Sequence, residues 1–184
     1  TLGVTDAGAT DGGEASSEPT TQGPSHKACD CLAEADGQIY VDTSLCPPVL
    51  CGQIELRCEG IEPDQHPFCT NGGTLVVDSD LIDCALDKLV HGTPGLLAYW
   101  ETPDMGVVYA GGFVEIGAAR MGLTQTYEGE DLSGTQSATE VVPLRDPSYF
   151  VACQALAEPL DRYKCLKDWT GGPAVATCAP AGNI

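Results

Sequence analysis

Positive charge is what this sequence most lacks. Only 8 of its 184 residues are Lys or Arg, against 27 Asp and Glu, a formal charge of −19. A binder of nucleic-acid backbone needs a basic surface, so nucleic acid is excluded as a partner. Anionic lipid is repelled for the same reason. Long hydrophobic runs are missing too. No stretch of about 18 apolar residues exists, so no transmembrane segment is expected. The polar, acidic start does not read as a secretory signal. Aromatic residues are only 6 % of the chain, which predicts a modest core.

Catalytic and cofactor motifs are equally scarce. There is no Gly-x-Ser-x-Gly elbow, His-Glu-x-x-His, P-loop or Gly-x-Gly-x-x-Gly. Neither Cys-x-x-Cys nor a haem-attachment motif is present. The three histidines are His26, His66 and His91. His91 closes a predicted helix, where its charge suits the helix dipole. A catalytic role would pair it with Asp87 and still need a nucleophile.

What the sequence does have is cysteine. Ten in a chain of this size point to disulfides and an oxidising compartment: extracellular, cell-surface or periplasmic. Cys29-Asp-Cys31 and Cys46-x4-Cys51 are poor matches to the paired spacing of structural zinc. Six cysteines (Cys29, Cys31, Cys46, Cys51, Cys58, Cys69) precede four others (Cys84, Cys153, Cys165, Cys178). The even split lets each region close its own bridges. Six cysteines allow 15 connectivities, and sequence does not choose among them. For the other four, Cys153–Cys165 is favoured, because a break at Pro159 would fold two short helices together. In a continuous helix they would be about 18 Å apart, too far for a bridge. Cys84 would then pair with Cys178.

Composition divides the chain into three. Residues 1–28 are rich in Gly, Ser, Thr, Asp and Pro, and read as a flexible acidic spacer, or as a tail that docks on a neighbouring subunit. The start at Thr1 reads as a processed export product or a truncated form. Residues 29–69 read as a small disulfide-stapled, loop-rich module, with short strands at 38–42 and 52–58 and turns at Cys46-Pro47-Pro48 and Asp64–Pro67. Residues 70–184 read as an α+β domain beginning after a break at Asn71-Gly72-Gly73. Within it a helix is predicted at 79–91, capped by Ser79 and ended by Gly92. About four antiparallel strands follow: 95–102 and 106–116 as a hairpin about Pro103-Asp104, then 119–128 and 138–144. Gly111-Gly112 suggests a bulge, and residues 129–137 an exposed loop. Asp146-Pro147 and Pro159 open two helices. Residues 170–184 read as irregular. The fold class is therefore α+β, with helices on one face of an antiparallel sheet.

Carboxylates are too abundant to mark a site by themselves. Glu101 and Glu115 lie in predicted strands, where a buried acid would suit glycoside-type hydrolysis. Asp78, Asp80 and Asp83, or Glu128, Glu130 and Asp131, could hold calcium, although neither set has the EF-hand spacing. The negative charge is spread along the chain. A salty medium would screen this self-repulsion.

An acidic spacer leading into a Cys-rich domain, with segments such as DCALDKLVHGTPG and RDPSYFVACQALAEPLDRYKCL, resembles exported, lipoprotein-like proteins of myxobacteria and their relatives. That resemblance implies surface or periplasmic exposure and no particular chemistry. Thr1 stands where a lipid-bearing Cys would be expected, while surface anchoring by other means fits the layout. The expectation is a non-enzymatic exported protein that binds a protein partner or self-associates. The alternatives are a structural subunit joined through its tail, and a secreted hydrolase with a carboxylate site.

Overall fold

A computed structural model describes residues 27–35, 38–41, 48–60, 69, 73–102, 108–117, 121–130, 133–179 and 182–183. Residues 1–26, Cys46, the turns at Asp64–Pro67 and Pro103-Asp104, and Asn71-Gly72 lie outside them.

The class is α+β, but the sheet is larger than the four strands expected. A 3₁₀ turn, Lys27–Cys31, leads into a small hairpin of β1 (Leu32–Ala35) and β2 (Gln38–Val41). Then come β3 (Val49–Glu59), β4 (Thr74–Val77), α1 (Ser79–His91), β5 (Gly95–Thr102), β6 (Val108–Ile116), β7 (Met121–Glu130), β8 (Ser133–Gln136) and β9 (Thr139–Pro143). Helices α2 (Pro147–Gln154) and α3 (Pro159–Lys167) precede β10 (Ala176–Ala179) and β11 (Gly182–Asn183). Nine strands form one sheet in the order β10-β9-β7-β6-β5-β3-β4, with β8 on β7 and β11 on β8. All pairs are antiparallel except β3 with β5.

Part of the Cys-rich segment is built into the large sheet. Its β3 lies inside the sheet, and two bridges tie it to the rest: Cys29–Cys178 and Cys51–Cys84. The expected Cys84–Cys178 pair is therefore not formed. Cys58–Cys69 and Cys153–Cys165 are local, and Cys31 is also disulfide-bonded.

Sequence chemistry explains the elements. Helix α1 starts one residue earlier in its capping than expected. Asp78, not Ser79, is the cap, and its carboxylate accepts from the Asp80 and Leu81 N–H groups. Gly92 ends the helix in the left-handed conformation, φ 62°. Its apolar stripe of Ile82, Ala85, Leu86 and Leu89 is almost wholly buried. It packs with Ile54, Leu97, Ile116, Phe150 and Tyr163 into one core between helices and sheet. Prolines open α2 and α3, as anticipated, although Asp146 caps without a side-chain hydrogen bond. Trp169 lies on Gly122 of β7, so close that a Cβ there would meet its ring at 2.5 Å.

Three local expectations are corrected. Gly111 and Gly112 form no bulge. They stay in register, opposite Trp100 and Tyr99, so each missing side chain faces a large ring across the ladder. Pairing slips instead in β10, between Thr177 and Ala179, and in β3, between Val49 and Gln53, where Cys51 takes a left-handed φ of 63°. That conformation costs a non-glycine residue about 1–2 kcal/mol. It occurs where Cys51 is bridged to Cys84 of α1. Residues 129–137 are not simply a loop either. Strands β8 and β9 pair with successive parts of β7, and Ser137 spans the break between them: its N–H donates to Thr126 O, while its Oγ accepts from Thr126 N–H. The C-terminal segment is similarly recruited as β10 and β11.

The second face of the sheet is also covered in part. By alternation Leu96, Val141, Thr139 and Gln136 point away from the helices, yet each is buried. The Lys27–Cys31 turn lies against β7, and Cys31 is buried.

Candidate functional site

Three polar clusters hold the helical layer in place. The most enclosed is built on Glu101, near the end of β5. Glu101 points to the helix side with Leu97 and Tyr99, where α3 brings Tyr163 and Lys167. The Tyr163 hydroxyl donates to Glu101 Oε1 at 2.8 Å, and Lys167 Nζ donates to the same oxygen at 2.7 Å. The Glu101 side chain is 15 % exposed. Lys167 also lies 5.5 Å from the Tyr99 ring centre and 6.0 Å from that of Tyr163. Burial pushes the Tyr99 phenol up to about 12, aided by the negative charges of Glu101 and Glu128. Burial also raises Tyr163, whose proton is held by the hydrogen bond to Glu101. Beside this cluster is an apolar cavity of about 20 Å³, lined by Tyr99, Tyr163, Trp169 and aliphatic neighbours. That volume matches about one water molecule. The arrangement keeps protons in place at neutral pH.

A second cluster closes the C-terminal end of α3. Arg145 donates to the Asp168 carbonyl and carboxylate, both at 2.6 Å, and its guanidinium lies 4.5 Å from the Tyr149 ring centre. Tyr149 donates to Cys165 O at 3.0 Å. The hydrogen bond from Arg145 holds the Asp168 carboxyl below its ordinary range, although some burial opposes this. An open polar hollow of about 350 Å³ lies alongside, between Arg145, Ser148 and Gly171.

The third cluster is a latch from α3 to α1. Arg162, largely buried, pairs with Asp83 at 3.1 Å and donates to Ser79 Oγ at 2.5 Å. It also donates to the Leu156 carbonyl, fixing the α2–α3 connection.

The residues singled out from sequence are placed as follows. His91 Nδ1 is 2.8 Å from the Asp87 carbonyl and 3.1 Å from its carboxylate, one helical turn away at an exposed end. Asp78 caps α1 and Asp83 pairs with Arg162, so these two and Asp80 are not drawn together about one point. No three His, Cys, Asp or Glu are clustered for a metal among the described residues. Glu128 is exposed on β7. His26, His66, Asp131 and the side chains of Glu115 and Glu130 lie outside the described residues. Glu101, weighed above as a hydrolytic acid, is engaged by Tyr163 and Lys167.

Sequence reasoning passed over the bases. Arg57, Lys88, Arg145, Arg162, Lys164 and Lys167 all form ion pairs, each base whose side chain is described. Their scarcity was the signal: in so acidic a chain, a rare cation on a helix has partners within reach wherever it faces.

The geometry defines a disulfide-rich α+β protein whose polar clusters join elements of the fold. Comparison with known family models, curated proteins and solved structures finds no match. Among the described residues, no helix is long and apolar enough to cross a membrane.

Proposed function

We propose that this chain is an exported, non-enzymatic protein that binds a protein partner at a cell surface or matrix. It belongs in this reading with the exported, lipoprotein-like proteins it resembles. The observation that carries the proposal is covalent. Cys29–Cys178 ties the two ends of the described fold across 149 residues of sequence, Cys51–Cys84 fastens α1 to the sheet, and Cys58–Cys69 and Cys153–Cys165 close local spans. Such bonds persist in oxidising compartments. The binding role draws support from four polar side chains considered for chemistry: Asp78 caps α1, Asp83 latches Arg162, His91 pairs with Asp87, and Glu101 holds Tyr163 and Lys167.

Two measurements test it. Thiol alkylation of protein recovered from the native compartment should find no free cysteine, and extensive labelling would refute the compartment. Light scattering of the oxidised full chain, beside a form lacking residues 1–28, should give a monomer in both cases. An assembly that dissolves without residues 1–28 would instead make this a structural subunit.

A further inference from the structure

The outer strands of the large sheet, β4 at one end and β10 and β11 where it branches at the other, are finished differently. At one edge, Cys178 of β10 is bridged to Cys29, which fastens the Lys27–Cys31 turn there. At the other, β4 pairs with β3 alone among the described strands. Its residues, Thr74-Leu75-Val76-Val77, include no charge and no proline, and their register with β3 is unbroken. Charges, prolines and bulges are the usual protections of an edge against further pairing. Beside this strand runs a groove of about 420 Å³, lined by Leu75, Leu160, Cys69, Gly73 and Thr74. Leu75 comes from the helix-side face of β4, and Leu160 from the first turn of α3. A backbone edge unpaired among the described strands and an apolar groove therefore lie side by side.

We infer that β4 is a strand-addition site for an extended segment of a basic partner protein. The incoming backbone pairs with Thr74–Val77, and one apolar side chain fills the groove between Leu75 and Leu160. In this mode main-chain hydrogen bonds supply affinity, and the pocket selects alternate side chains. The inference rests on the binding role proposed above and specifies its surface.

Charge selects the partner. Glu59 stands opposite Thr74, Asp78 directly follows Val77, and Asp80 lies just beyond; all three are exposed. Arg57 is paired with Glu59 at 2.9 Å and Lys164, one turn along α3 from Leu160, with Asp161 at 3.7 Å, so Asp78 and Asp80 carry the uncompensated charge. A second copy of this chain, at −19, would bring like charges together. Lysines or arginines flanking an apolar residue meet the carboxylates instead.

The test uses the oxidised full chain and a short peptide alternating lysine with valine and leucine. Three controls accompany it: the same peptide with glutamate for lysine, and two N-methylated versions, methylated at alternate residues and offset by one. The basic peptide should bind, with slowed amide exchange at Thr74–Val77. The acidic peptide should bind at least about tenfold more weakly. One methylated version should bind and the other fail, because a strand presents alternate N–H groups to each side. The site is overturned by absence of saturable binding below about 1 mM, by equal binding of both methylated versions, or by protection elsewhere than β4. A dimer with β4 amides already protected would replace the basic partner with a second copy. These failures leave the broader reading standing, which only the thiol and mass measurements above can remove.

Discussion

The helix-covered centre of this protein and the two ends of its described fold are held by different forces. In the centre, Ile82, Leu86, Leu89, Ile116 and Phe150 are at most 1 % exposed and interlock between the helices and the sheet. At the ends, Val175 is well exposed just before β10, and the Cys29–Cys178 bridge joins the first turn to that strand. The difference follows from composition. A chain with so few aromatics fills one layer between sheet and helices, and secures the second face with cross-links. Hydrophobic burial thus organises the middle, while covalent closure recruits segments that pattern alone would leave irregular.

The largest expected effect breaks the fastening of the ends. Replacing both Cys29 and Cys178 with alanine removes a closure spanning 149 residues, worth about 5 kcal/mol on the chain-entropy model. Replacing Cys153 and Cys165 opens a span of only 12, worth about 3 kcal/mol. Denaturant unfolding of the two variants should keep that order. The reverse order would mean that the helical hairpin, not the end closure, depends most on its bridge.

Next comes the centre. Leu86→Ala should cost about 2–5 kcal/mol, since Leu86 is fully buried in the core between helices and sheet. Val151→Ala, at an exposed position of α2, should change stability by less than about 0.5 kcal/mol. Similar costs for both would show that the centre is not close-packed. Smaller again is Glu101→Ala. It leaves the buried Tyr163 hydroxyl without its acceptor, a loss of about 1–3 kcal/mol in the same unfolding assay.

The same contrast explains what the sequence made readable. Helix α1 was legible because its apolar spacing, Gly92 and Pro94 agree. The hairpin of β5 and β6 and the start of α2 and α3 were legible from alternation and proline position. Cys153 and Cys165 were legible as neighbours, because only 12 residues separate them. Remote partners carried no such local mark. Nothing near Cys178 points to Cys29, and nothing near Cys51 announces a left-handed residue inside a strand. Strands β10 and β11 draw their order from neighbours and a bridge, against a Gly- and Pro-rich sequence. The Glu101 cluster was half visible: the strand acid was noted, but Tyr163 and Lys167 come from 62 and 66 residues away. The Arg145 cluster depends likewise on how α2 meets the end of α3, and the Arg162 cluster on how α3 settles on α1.

The smallest effect separates the centre from the rim by pH. Tyr99, in the centre, has a phenol raised to about 12, chiefly by burial. Its contribution is fully present below the ordinary tyrosine value of 10 and is lost as pH rises towards 12. Asp168, at the rim, is shifted the other way by its hydrogen bond from Arg145. Its contribution is present above the ordinary carboxylate value of 3.8 and is lost as pH falls through the lower folded value. Asp168 is well exposed, so water and salt screen the pair, and the acid effect should be slight. Thermal unfolding of the Asp168→Asn variant should therefore match the parent near pH 2 and fall just below it at pH 6, with the gap shrinking in salt. Ultraviolet titration should show Tyr99 ionising late in the folded protein and normally after denaturation. A pH-independent gap for Asp168→Asn would mean that the rim is held by packing of Arg145 on Tyr149, leaving charge no part in closing α3.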